Sequence, residues 1–257
     1  MLRLTDIFGF ALPGWIEWTA GFVLGAIIGS YLATILWRWP RGQSVNRGRS
    51  HCDGCDRTLR WYELVPLVGR MIVRAKCPSC GARIAVGHSL IELGCGVIGA
   101  FCFAAGMVGI APFGWLLLLL ACFDARHLWL PDPLVAALAL IAIVAPLDPR
   151  LTIVEQAIGG IAGFGVLWTV ARVYRLVRGR EGLGGGDAKL LGAIGLSVGA
   201  LALPLVGLVA CGIGLIDAAF RMARGHKRDT MQLPLGSYLC ATMIGWIALT
   251  PPNVTPF

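Results

Sequence analysis

The sequence predicts an all-α polytopic membrane protein with about eight transmembrane helices and one small polar insert. Three observations carry that prediction. Of the 257 residues, 57% are hydrophobic and 14% charged, against about 45–50% and about 25% in a soluble domain. Apolar runs of about 20 residues, the length that crosses a bilayer at 1.5 Å per residue, recur along the chain. The 22 Lys and Arg are gathered into a few segments that alternating spans would bring to one side.

The first span is WTAGFVLGAIIGSYLATILW, Trp18 to Trp37. It is too long, and too poorly flanked by positive charge, for a cleaved signal peptide. Residues 1–37 therefore form an N-terminal transmembrane segment, 38–88 a polar loop, and 89–257 a second membrane region. That region has apolar runs at 89–111, 113–124, 133–147, 153–174, 188–220 and 233–250. As one helix the run 188–220 would extend about 50 Å through a core of about 30 Å, so it folds as two short spans turning near Gly199 to Pro204. Glycine is about twice as common as usual. In an apolar chain that suits close helix contact, and AIGGIAGFG (Ala157 to Gly165) reads as packing.

Charge orients the spans. With alternation, 20 of the 22 basic residues share one face and only Arg3 and Arg150 oppose them. The positive-inside rule makes the rich face cytoplasmic and puts both termini outside. The net charge of +8 is then a topology signal, and nucleic-acid binding is not expected.

The loop contains CDGC (Cys52, Cys55) and CPSC (Cys77, Cys80). Two such pairs supply four thiolates that close a tetrahedron around zinc. So small a segment cannot bury much core and needs a metal staple. A pair of disulfides is disfavoured in a reducing cytosol, and no thioredoxin-like context supports a redox role. The insert is thus expected to be a zinc-binding cytoplasmic domain. His51 borders the first pair but four cysteines complete the site. Cys95, Cys102, Cys122, Cys211 and Cys240 fall in spans and behave as small hydrophobes.

Ionisable residues within spans are candidates for function. Glu92, Asp124, Asp187 and Asp217 lie in spans, with Glu17, Asp132 and Glu155 near span ends. Asp124 ends LLLLLACFD, Asp187 follows Gly184, Gly185 and Gly186, and the topology sets both at the cytoplasmic end of a helix. Two carboxylates facing each other in a low dielectric share a proton. The ionised one takes a proton from water while the other polarises a peptide carbonyl, which is aspartic-protease chemistry. The glycines leave open backbone where an extended substrate could approach. Other readings stand beside this one. Asp187 could cap a helix, Asp124 could mark a solvated helix end, the pair could relay protons in a transporter, or the chain could be a scaffold built on the zinc loop. Asp132 is the reserve for the first acid, and Lys189 either snorkels to the cytoplasmic face or steadies a carboxylate. GLGGGD lacks the spacing of a dinucleotide loop.

Five stretches together resemble the type IV prepilin peptidases. They are GAIIGSYLATILWRWP (25–40), the cysteine loop (50–69 and 74–93), FDARHLWLPD (123–132), GLGGGDAKLLGAIG (182–195) and LPLGSYLCA (233–241). The resemblance implies a membrane aspartic protease of the G-x-G-D class in a bacterial inner (cytoplasmic) membrane, its active site facing the cytoplasm. Asp124 and Asp187 would be catalytic, with Gly184 and Gly186 the motif glycines. The substrate would be a prepilin or a type II secretion pseudopilin, whose short basic leader precedes a hydrophobic helix. Members with the four-cysteine loop often also methylate the new N-terminus with S-adenosylmethionine. Glu63 and Glu92 match family acids. Ala33 stands where the first motif usually has Asn, and Asp53 where the first knuckle commonly has Pro.

Overall fold

The structure, a computed structural model, describes residues 13–45, 49–52, 54–179, 184–225 and 232–250. Asp53 and the first two residues of GLGGGD lie outside this set. Among the described residues the fold is helical, with no sheet and only two isolated antiparallel bridges. The chain divides into two compact units, Met1–Ala111 and Pro112–Phe257.

In the first unit, α1 (Gly14–Arg38) packs along α3 (Val86–Ala104), and the insert between them holds the short helix α2 (Val68–Ile72). Small residues make the α1–α3 contact. A Cβ on Gly21 would fall 2.4 Å from the Gly99 carbonyl oxygen, and one on Gly25 2.1 Å from that of Cys95. Such backbone approach is how helices associate where lipid removes the hydrophobic drive. Gly25→Ala is accordingly expected to destabilise this unit by about 1–3 kcal/mol, read as earlier unfolding in a denaturant titration in detergent. Glu92, 5% exposed on α3, accepts the Leu67 N–H at 2.8 Å. Leu67 has the left-handed φ of 60°, so this bond fixes a strained turn of the insert onto the helix.

The second unit contains α4 (Ala111–His127), α5 (Asp132–Val144), α6 (Ile153–Arg178), α7 (Gly185–Val198), α8 (Leu203–Ala223) and α9 (Leu235–Leu249). Helix α6 lies along α7, α5 also meets α7, and α9 packs on α8 and α7. The glycine run at 157–165 is a packing face: a Cβ on Gly159 would lie 2.2 Å from the Gly195 carbonyl oxygen, and one on Gly163 2.4 Å from that of Leu191. The long apolar run breaks where expected. Gly199 takes a φ of 75°, and Pro204 stands at the start of α8, where its missing N–H has no partner to lose.

Five helical stretches are long and apolar enough to cross a membrane: Gly14–Arg41, Val86–Ala104, Val108–His127, Ile153–Arg178 and Leu203–Ala223. Helices α5 and α9 are apolar but shorter, and α7, also short, carries Asp187 and Lys189 near its start. On α6, Ile153, Ile161, Leu176 and Val177 stand exposed, as do Leu208, Leu215 and Ile216 on α8. Contiguous apolar surface of this kind is what a bilayer covers.

Candidate functional site

Most acids near the membrane edge have structural partners. Glu155 forms a capping box with Thr152, accepting the Thr152 N–H at 2.8 Å. Asp132 takes both ends of a bidentate bond from Lys189 Nζ, at 2.7 and 2.8 Å. Lys189 therefore steadies a carboxylate, and the one it steadies is Asp132. Asp217 Oδ2 accepts from Arg221 Nε at 2.7 Å and from the Tyr238 hydroxyl at 2.5 Å. Glu92 is occupied as described above.

Asp124 and Asp187 differ from these. Asp124, in the last turn of α4, is 5% exposed, and Asp187, third residue of α7, is 9% exposed. Among the described residues neither meets a cation. Instead Asp187 lies within electrostatic reach of Asp124, and Gly236 stands close enough to influence both carboxyl groups. Asp187 also reaches back to the Gly184 N–H, the residue that precedes its helix. Helix α4 ends at His127, and the Asp124 carbonyl accepts the Leu128 N–H at 2.9 Å. Leu128 holds a φ of 49°, an arrangement usually given to Gly or Asn. The turn so formed brings Leu130 beneath the site.

Two residues that the sequence did not single out complete the arrangement. Ser237, in the first turn of α9, donates its N–H to Asp124 Oδ2 at 2.6 Å. Its hydroxyl lies 3.1 Å from the same oxygen and 2.9 Å from the Ala121 carbonyl oxygen. Gly236 is required to be small, since a Cβ there would sit 3.0 Å from both Asp124 Oδ2 and Leu130 Cδ1. The motif glycines divide. Nothing would crowd a Cβ on Gly185, one on Gly184 would meet Asp187 Oδ2 alone at 3.5 Å, and one on Gly186 would lie 2.9 Å from Leu130 Cβ. Open backbone beside Asp187 is thus confined to Gly184 and Gly185, and Gly186 is a packing position.

In the first unit the four loop cysteines converge, their sulfurs all within 4.8 Å of one another. Each pair is framed by a β-bridge, His51 with Thr58 and Lys76 with Arg83. The hydrogen bonds repeat as well. Cys52 N–H donates to the Arg57 carbonyl at 2.9 Å and Cys77 N–H to that of Ala82 at 2.8 Å. Four residues past the first cysteine of each pair, Asp56 and Gly81 both take positive φ. The Cys80 and Ser79 N–H groups point at the Cys77 sulfur and draw its thiol down to about 6, which favours the thiolate that metals bind. Beside it, Arg57 donates to Glu63 Oε1 at 2.8 Å, and that bond holds the Glu63 carboxyl below the usual range. Glu63 also accepts the Arg60 N–H at 2.6 Å, so both of its oxygens serve the loop's fold.

Two family matches cover the four loop cysteines and both acids. Residues 23–105 match the bacterial peptidase A24 N-terminal domain, and residues 111–218 match the type IV leader peptidase family. The chain is 30% identical to a prepilin leader peptidase/N-methyltransferase of Stutzerimonas stutzeri, covering 88% of each protein. It is 31% identical to that of Neisseria gonorrhoeae over 97% of this chain and 94% of the relative. The type 4 prepilin-like proteins leader peptide-processing enzyme of Escherichia coli O78:H11 is 31% identical over 88% of this chain and 91% of its own. No solved structure matches. With both units matched, and with similarity running across most of each relative's length, the chain belongs to the type IV leader peptidase family.

Proposed function

We propose that this protein removes the leader of type IV prepilins or type II secretion pseudopilins at the cytoplasmic face of the inner membrane, with Asp124 and Asp187 as its catalytic pair. Leader processing is the activity of the family. The observation that carries the residue assignment is that two buried carboxyl groups on separate helices lie within electrostatic reach of each other beside Gly236, with no countercharge among the described residues. A structural acid is normally paired, as Asp132, Asp217 and Glu155 are here.

The pair acts as a unit. One carboxylate takes a proton from water as the water oxygen attacks the scissile carbonyl, and the protonated partner hydrogen-bonds the carbonyl oxygen and gives it that proton. Collapse of the tetrahedral intermediate breaks the C–N bond as the first acid returns its proton to the leaving nitrogen and the partner carboxylate takes a proton back from a gem-diol hydroxyl, which leaves the new carboxylic acid and restores the pair. Eight helices serve as spans, α5, α7 and α9 being short ones, with the basic segments inside. A proton-relay transporter finds no support in the family match.

The insert suits zinc. Cys52 and Cys80 sulfurs are 3.8 Å apart, and those of Cys55 and Cys77 3.9 Å. A tetrahedron with Zn–S distances of about 2.3 Å has edges of about 3.8 Å, so the four thiolates fit one ion, whose role there is structural. S-adenosylmethionine would suit the cavity of about 530 Å³ in the first unit, where Arg38 and Arg70 offer donors for a carboxylate and Trp37 a ring for adenine. When bound it supplies an electrophilic methyl group for the new N-terminus.

The direct test is mass spectrometry of a purified prepilin incubated with the protein in lipid. Loss of the leader is expected, with added methyl mass only when S-adenosylmethionine is supplied. Intact prepilin after incubation with folded, zinc-loaded protein would overturn the proposal. Gly236→Ala, which pushes a methyl group at Asp124 Oδ2, is expected to slow cleavage about 10²-fold. Gly245→Ala on the same helix, where a Cβ meets nothing within 4 Å, should leave the rate unchanged.

A further inference from the structure

Helix α9 enters the site at its first turn, and the side chains there do two things at once. Ser237 touches α4 at Asp124 and at Ala121, one helical turn apart. Tyr238, the next residue and 9% exposed, turns to α8. There its hydroxyl donates to Asp217 Oδ2 at 2.5 Å, beside the Arg221 guanidinium on the same oxygen at 2.7 Å. The Tyr238 ring lies over Gly214, where a Cβ would come within 3.0 Å of it. An acid, a cation and a phenol at the edge of a membrane region call for a function, and the cleavage chemistry uses none of them.

We infer that the first turn of α9 is the positioning element of the peptidase: Ser237 holds Asp124 in its working orientation, and the Asp217–Arg221–Tyr238 cluster holds Ser237. The inference rests on the acid-pair reading above. All the Ser237 bonds to Asp124 fall on Oδ2, which leaves Oδ1 as the oxygen that takes and returns the proton. The Ser237 hydroxyl has one proton and two acceptors in range. It turns to Oδ2 when Asp124 is charged and to the Ala121 carbonyl when Asp124 is neutral, so no polar group is stranded as the charge comes and goes. Threonine can do the same, whereas alanine cannot. Tyr238→Phe keeps the ring over Gly214 and removes only the bond that fixes the turn against α8.

The test is steady-state leader removal in lipid by the parent and by Ser237→Ala, Ser237→Thr, Tyr238→Phe and Asp124→Asn, each checked for the parent's zinc content and helicity. Ser237→Ala is expected to lower kcat about 10²-fold with KM within about twofold, as for loss of one oriented donor. Ser237→Thr should recover most of the rate, and Tyr238→Phe should lower kcat about tenfold. A parental rate for Ser237→Ala beside a dead Asp124→Asn would overturn the positioning inference and leave the acid pair standing. A loss in Ser237→Ala that falls equally on KM and is not restored by threonine would also overturn it, reducing Ser237 to a packing residue. Parental kcat in Tyr238→Phe would remove the α8 cluster from the account. Full activity of Asp124→Asn would instead sink the pair itself.

Discussion

Asp187→Asn is expected to slow leader removal by about 10⁴-fold or more, with prepilin binding and helix packing kept. Asparagine has the size of aspartate and still fits beside Gly184, but it can neither take a proton from water nor lend one to a carbonyl. Asp124→Asn is expected to lose as much. Its amide nitrogen or its carbonyl oxygen must also face the Ser237 N–H that now donates at 2.6 Å, and only the oxygen can be placed there. Because the two acids share one chemical task, the double variant should be no slower than either single one. Single-turnover cleavage with excess enzyme over prepilin measures this, and separates it from any effect on binding.

The second large effect concerns the insert. Removing zinc, or replacing Cys77 with Ser, is expected to unfold the segment from about 49 to 85, since structural zinc in small domains contributes about 10 kcal/mol or more of folding free energy. Little else holds it. Its ordered backbone amounts to two isolated bridges, the five-residue helix α2 and one 3-10 turn at Trp61–Glu63, and Trp61 and Met71 are largely exposed. Limited proteolysis should cut the loop of the Cys77→Ser protein and spare the parent, with zinc content falling from one per chain to none. Cleavage of both proteins at equal rates would show that the metal is not the staple. The bond from Leu67 to Glu92 would be lost along with the turn that makes it.

The helices were legible because lipid imposes a length and an apolarity that composition records directly. The break at Gly199 was legible for the same reason, a run too long for one span carrying Gly and Pro at its middle. Asp124 and Asp187 stood out because a carboxylate in LLLLLACFD or GLGGGDAKLL is conspicuous against so few charges. The residues around them were not conspicuous. Ser237 lies 113 positions from Asp124 and, in LPLGSYLCA, looks like one more small residue of an apolar helix. The glycine stripe of Gly21, Gly25 and Gly29 on α1 is as regular as the run at 157–165, yet its partner face on α3 cannot be read from α1 alone. Nor does spacing indicate that Lys189 serves Asp132 rather than its near neighbour Asp187. Long-range pairings between helices leave little trace in one sequence, whereas the periodicity of each helix does.

Every other expectation for the rate of leader removal depends on Asp124 and Asp187, and no other acid pair, performing the cleavage. That assignment is tested most directly by leader removal from one prepilin in lipid by the parent and the Asp124→Asn, Asp187→Asn and Asp132→Asn proteins, side by side. No detectable product is expected from the first two variants. Asp132→Asn should cleave, because Asp132 is spent on Lys189 at the groove between α5 and α7. Cleavage by Asp124→Asn with an inactive, folded Asp132→Asn would contradict the assignment and move the first acid to position 132.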